Sequence, residues 1–161
     1  MRPTSWLVTV AALAGLLALP LTASGTATSV SPHAVVKAAY NKQLKQTILV
    51  DTRGLTLYMW TEDRRFGSAT CYDDPEFHCS KAWPPLRTRG APKAGPGVKA
   101  SLLGVAERTD GASQVTYRGY RLYTNAGRGT LEPDRRPGDI NGLGFLGMWW
   151  AVSPSGRLVK G

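Results

Sequence analysis

Two cysteines, Cys71 and Cys79, and the histidine between them, His78, are the residues best suited to covalent or metal chemistry in this 161-residue chain. Seven residues separate the sulfurs. In an oxidising compartment such a pair forms a disulfide, and the short loop it closes pins the approach to Trp83. The alternative is a metal- or redox-linked centre at Cys71, His78 and Cys79, with Asp73 or Met59 beside them, a set that suits zinc or copper. Neighbouring side chains in extended chain point apart, so adjacent His78 and Cys79 are awkward co-ligands, and no Cys-x-x-Cys pair supports a metal. The disulfide is the expectation, and no cofactor is expected.

The carboxylates offer a second chemistry. Asp63 and Asp134 each precede an Arg-Arg pair. Two carboxylates meeting in one cleft hydrolyse glycosides. The plainer reading has each aspartate capping its own turn and pairing with the adjacent arginines. His33 and His78 are the sole histidines, and no Gly-x-Ser-x-Gly elbow occurs, which argues against Ser-His catalysis. The Asp139-Ile140-Asn141-Gly142 stretch has the look of an oxygen-ligand loop but supplies two side chains where calcium needs six or more oxygens, so an Asx turn is expected.

Aromatic residues are a third possibility. Tyr58, Trp60, Trp83, Tyr117, Tyr120, Tyr123, Trp149 and Trp150 could build a platform for sugars or peptidoglycan. At strand spacing most aromatics are core, leaving a surface role for one or two. The expected contact surface is Tyr58, Trp60, Asp63 and Trp83, with Arg64 and Arg135 from the arginine pairs.

These residues recur because the chain repeats itself. Gly-x-x-Leu-Tyr occurs at Gly54–Tyr58 and again at Gly119–Tyr123, each time after a β-branched run. An Arg-Gly pair in each supplies the positive-φ position of a tight turn. Asp-Arg-Arg follows in each copy, and the Tyr-to-Asp spacing grows from 5 to 11, so the second copy carries six extra residues within 124–133. Trp83-Pro84 and Trp149-Trp150 close the two copies. Ile48–Val50 and Leu57–Trp60 are apolar on both faces, as central strands are. Val35–Tyr40 fits either helical or strand spacing. The expected fold is mostly β: a single domain of two pseudo-symmetric antiparallel β-hairpin repeats with one disulfide, the first repeat over about 35–86 and the second over about 111–161. Residues of about 87–110, rich in Gly and Pro, are read as a long connection.

Arg2, the apolar run Trp6–Leu21 and the small residues after it have the order of a cleaved secretory signal, assigned to residues 1–25, with a flexible linker over 26–34. The run is too short for a spanning helix, so no transmembrane segment is expected in the mature chain. No cysteine precedes Cys71, so the expected location is secreted and not lipid-anchored. The formal net charge is +9, spread singly or in pairs. That balance suits anionic cell-envelope polymers or another envelope protein as partner and does not indicate specific nucleic-acid binding.

The ordered run Val36-Lys37-Ala38-Ala39-Tyr40-Asn41, Leu44, Ile48–Asp51, Gly54 and Thr56-Leu57-Tyr58 resembles the bacterial "secreted repeat of unknown function" family, exported proteins or lipoproteins with a Tyr-x-(Phe/Trp/Tyr)-x-x-Asp motif. Here that motif is Tyr58–Asp63, and further matches extend through Ala82–Leu86, Gln114–Tyr117, Pro137-Gly138-Asp139 and Trp149. The cysteines lie further apart than is usual in the family, the second copy lacks the compact motif, and Leu143 stands where Gln is common. The resemblance implies export and a repeat fold and carries no agreed activity. The functional expectation is an uncharacterised, non-catalytic binding or structural module of the envelope, the alternatives being the Cys71–Cys79 centre and a carboxylate-dependent hydrolase.

Overall fold

The computed structural model describes residues 33–66 and 69–161, with the side chains of 64–66 excepted. The proposed signal, and the linker up to residue 32, lie outside the described residues. The domain is mostly β. Its strands are β1 (Val35–Asn41), β2 (Gln46–Val50), β3 (Tyr58–Trp60), β4 (Lys93–Ala94), β5 (Leu103–Glu107), β6 (Ser113–Tyr117), β7 (Tyr120–Arg121), β8 (Trp149–Val152) and β9 (Leu158–Val159). Two short helices, α1 (Thr61–Phe66) and α2 (Cys79–Ala82), complete the frame.

The strands form three three-stranded sheets, ordered β2-β1-β4, β3-β8-β9 and β5-β6-β7. This corrects the expectation of two simple hairpins. Two of the sheets recruit a strand distant in sequence, β4 joining β1 in parallel and β3 joining β8, and the third is a meander of consecutive strands. The reason is size: an isolated hairpin cannot bury its apolar face, and a third strand covers it. The segment read as a connection contains β4 and β5. The ambiguous Val35–Tyr40 is strand, settled by its antiparallel register with β2, in which Ala38 faces Leu49 and Ala39 faces Ile48.

The turns follow their residue chemistry. Arg118 (φ 50°) and Gly119 (φ 80°) make the two-residue link between β6 and β7, with both central residues at positive φ as a type I′ turn requires. The first copy's turn is held differently. Asp51 Oδ1 accepts the amides of Arg53 and Leu55, and Gly54 supplies φ 84°.

The alternation of apolar residues has its expected result. Leu49, Leu57, Met59, Val115, Tyr117, Leu122 and Val152 share one buried cluster. Ile48 and Val50, on the other face of β2, pack with Ala151 and Val159. Tyr58, on the other face of β3 from Leu57 and Met59, joins Cys71, Trp83, Tyr123 and Trp149 in a third cluster. Strands with apolar groups on both faces therefore lie between layers.

Candidate functional site

The third cluster is built around the two Gly-x-x-Leu-Tyr copies. Tyr58 and Tyr123 exchange backbone hydrogen bonds, each amide donating to the other's carbonyl at 2.9 Å. Trp83 and Trp149 stack with ring centroids 3.9 Å apart and planes 3° from parallel. Tyr58 meets Trp83 edge-on at 5.3 Å, and Tyr123 meets Trp149 edge-on at 5.3 Å. Such offset and edge contacts add to the large area that each buried ring removes from water.

The carboxylates join this cluster across the two copies. Tyr58 Oη donates to Asp134 Oδ2 at 2.8 Å, and Tyr123 Oη donates to Asp63 Oδ2. Asp63 also accepts the amide and hydroxyl of Thr70, and Asp134 accepts Asn125 Nδ2 and the Asn141 amide. Thr70 and Asn141 each lie seven residues after their aspartate. Burial raises the Asp134 carboxyl above its ordinary range against the lowering effect of its donors. Burial, with the facing carboxylate, also pushes the Tyr58 and Tyr123 hydroxyls well above the usual tyrosine value. Both aspartates are buried, and both oxygens of each accept hydrogen bonds within the fold, an arrangement suited to holding the two copies together.

Cys71 and Cys79 form a disulfide. With the sulfurs bonded to one another, neither presents a thiolate to a metal. His78 Nδ1 lies 2.7 Å from Asp73 Oδ1, and Lys81 reaches the same carboxylate. Among the described residues, no group of three or more His, Cys, Asp or Glu is placed to hold a metal ion. The disulfide loop is tied to the second copy by Arg108, whose buried guanidinium donates to the Cys71 carbonyl at 2.7 Å and to Gln114 Oε1 at 3.1 Å. The Asp139 loop is a capped turn: Asp139 Oδ2 accepts the amides of Arg135 and Arg136, which hold its carboxyl below the ordinary range.

The cluster opens to solvent on one side. A cleft of about 600 Å³ is lined by Trp60, Trp83, Trp149, Phe145 and Met148, with Phe77 and Leu146 at its exposed positions and Arg128 among its polar residues. Phe77 and Leu146 are 69% and 70% exposed, large apolar side chains left in water. Each belongs to a segment with an unusual backbone: Leu146 has φ 50°, and His78, next to Phe77, has φ 47°. A left-handed conformation costs a residue with a Cβ roughly 1–2 kcal/mol. Trp60 stacks with Trp149 at 5.2 Å, and its buried Nε1 has no hydrogen-bond partner among the described residues. A second cleft, of about 430 Å³, lies between β1 and the Pro137–Asp139 turn and is lined by Tyr40, Lys42 and Gln43 among others.

The expected contact residues thus part company. Trp60 and the edge of Trp83 line the aromatic cleft. Tyr58 and Asp63 are buried in the hydrogen-bond exchange. Arg135 is exposed on the Asp139 turn, and the Arg64 side chain lies outside the described residues. Phe77, Leu146 and Arg128 were missed by the sequence reading. Their one signal is a large side chain alone among turn formers, as in Asp74-Pro75 before Phe77 and Gly144 and Gly147 around Leu146.

Residues 104–153 match the Lipoprotein_15 family, described as a secreted repeat of unknown function. The match runs from β5, in the segment read as a connection, through β8 to residue 153, and so takes in most of the second copy. No curated protein and no solved structure matches the chain. The family's name corrects one expectation: it implies lipid anchoring, which conflicts with a chain that is not lipid-anchored. That expectation rested on the N-terminal residues, which lie outside the described residues, and on the position of Cys71, which lies outside the matched segment. Among the described residues, no helix is long and apolar enough to cross a membrane.

Proposed function

We propose that the protein is a non-catalytic binding module of the cell envelope, built from two repeats related by an approximate two-fold axis, with the aromatic cleft as its contact surface. The observation that carries this reading is the cleft itself: a wall of Trp60, Trp83, Trp149 and Phe145 with Phe77 and Leu146 exposed at its edge. Ligand sites are concave and mainly apolar, with few polar groups, and a volume of about 600 Å³ falls in their usual range. Two large exposed apolar residues beside one such cleft favour a contact surface over scattered surface hydrophobics. The backbone strain at Leu146 and His78 points the same way, since strained conformations gather at ligand clamps.

The two-repeat reading is supported by the Tyr58–Tyr123 backbone pair, the paired Tyr–Trp edge contacts and the exchange of aspartates. This arrangement makes the scaffold rigid and gives Asp63 and Asp134 a structural role. The net charge of +9 supports an anionic envelope partner.

Decanol, a neutral apolar probe, tests the reading. Its titration should shift tryptophan fluorescence with single-site saturation. Phe77→Asp and Leu146→Asp each remove an exposed apolar side chain and should weaken binding about tenfold or more, as expected for an apolar group worth roughly 1.5–3 kcal/mol when buried. Unchanged affinity in both variants, with the melting temperature retained, would remove the cleft as the contact surface.

A further inference from the structure

We infer that the cleft takes a single-chain anionic amphiphile, its aliphatic chain against the apolar wall and its anionic head at Arg128; this rests on the cleft being the binding surface. The first argument is how the lining rings are engaged. Trp149 stacks with Trp83, at 3.9 Å and 3°, and with Trp60, at 5.2 Å and 6°. Phe145 also lies against Trp83, tilted by 49° at 6.0 Å. Sugars and planar rings bind aromatic side chains through an open face. Here the indoles that line the cleft are stacked on one another. The flexible side chains of Met148, Leu131 and Leu146 beside them suit methylene groups, which need apolar contact without orientation.

The second argument is charge. Among the described residues, two ionisable side chains line the cleft, Arg128 and Asp74. Asp74 Oδ1 is taken by the amides of Glu76 and Phe77 within its own turn. Arg128 is exposed, and among the described residues it makes no ion pair. Its position is fixed by reciprocal backbone bonds with Leu131 at 2.9 and 3.0 Å across Gly129 and Thr130, and Leu131 is buried in the aromatic cluster. A guanidinium lining an apolar cleft recognises a carboxylate or phosphate by charge-assisted hydrogen bonds. The overall positive charge of the chain reinforces that sign.

The test compares decanoate with decanol on the full chain by calorimetry, at concentrations below amphiphile aggregation. Decanoate should bind about tenfold more tightly, the gain of one charge-assisted contact at a partly exposed rim. Arg128→Gln should bring the two affinities within about twofold of each other by weakening decanoate, and Arg128→Lys should keep most of the preference. Equal affinities in the unmodified chain would overturn the anionic assignment while leaving the cleft reading intact. Binding of neither probe would overturn the cleft reading itself. Decanoate uptake seen only above the aggregation threshold would be adsorption to micelles and would overturn both.

Discussion

Tyr58 and Tyr123 face each other through two reciprocal backbone hydrogen bonds, and each sends its hydroxyl to the aspartate of the opposite copy. A tyrosine from one copy thus supplies a donor that a buried carboxylate of the other requires. Neither copy satisfies its aspartate alone. The stacked Trp83 and Trp149 lie beside this exchange, and the cleft is the face the stack leaves open.

Tyr58→Phe and Tyr123→Phe each remove one donor from a buried carboxylate without removing a ring. Each should destabilise the fold by about 1–3 kcal/mol, the cost of leaving a buried polar group short of a partner. Urea unfolding measures this. A loss below about 0.5 kcal/mol in both variants would mean that the exchange contributes little.

The same tyrosines set an alkaline limit. Burial and the facing aspartates raise both hydroxyls above the ordinary value of 10.0 in the folded state. A raised acid holds its proton in the fold, so its contribution is complete below pH about 10 and is lost as the pH climbs above that value. Urea midpoints should fall above pH 10 in the wild type and fall less steeply in either Phe variant. Absorbance at the tyrosinate band should show these two hydroxyls ionising only with unfolding. Asp134 acts in the same sense at lower pH: its raised carboxyl favours the protonated form, so its contribution declines as the pH rises from its ordinary value of 3.8.

Gly142 lies where the second copy crosses the aromatic stack. A Cβ at this position would stand 2.5 Å from Trp83 Cη2, 2.8 Å from Trp83 Cζ3 and 3.1 Å from Tyr58 Cζ. Gly142→Ala should therefore cost about 1–3 kcal/mol by overpacking, with disturbed near-UV circular dichroism from the stacked indoles. Gly111→Ala makes a control for backbone effects, since open space surrounds that position, where φ is +77°.

Reducing the Cys71–Cys79 disulfide should lower stability by about 2–3 kcal/mol on the chain-entropy account of a short loop. The loop carries Phe77, so probe affinity at the cleft should fall together with stability. Urea unfolding of the Cys71→Ala, Cys79→Ala double variant, beside a decanol titration, checks both effects.

Much of the frame was legible in the residues. Gly54 and Gly119 marked the turns, and each adopts positive φ. The apolar faces of Ile48–Val50 and Leu57–Met59 placed these strands between layers, and the cysteine pair in an exported chain announced the disulfide. The repeat made Asp63 and Asp134 equivalents. It did not show that each accepts from the other copy's tyrosine, because periodicity fixes faces within a strand and says nothing of which strands meet. Sheet membership was missed for the same reason: β4 contains two residues, too few for a pattern, and its partner β1 is distant in sequence. Phe77 and Leu146 stand singly in loops, where no period exists to reveal them. The N-terminal residues that suggested a signal lie outside the described structure, and the argument against a lipid anchor gave way to the name of the matched family.

The most direct test of the central claim is the indole N–H spectrum of the full chain, recorded by two-dimensional nitrogen–proton NMR while decanoate is added. The chain has five tryptophans, of which Trp60, Trp83 and Trp149 line the cleft and Trp150 does not. The account predicts saturable shifts confined to the signals of Trp60, Trp83 and Trp149, the largest at Trp60, whose Nε1 has no hydrogen-bond partner among the described residues. Shifts at Trp150 with the three cleft signals unmoved, or no shift at any indole, would contradict it.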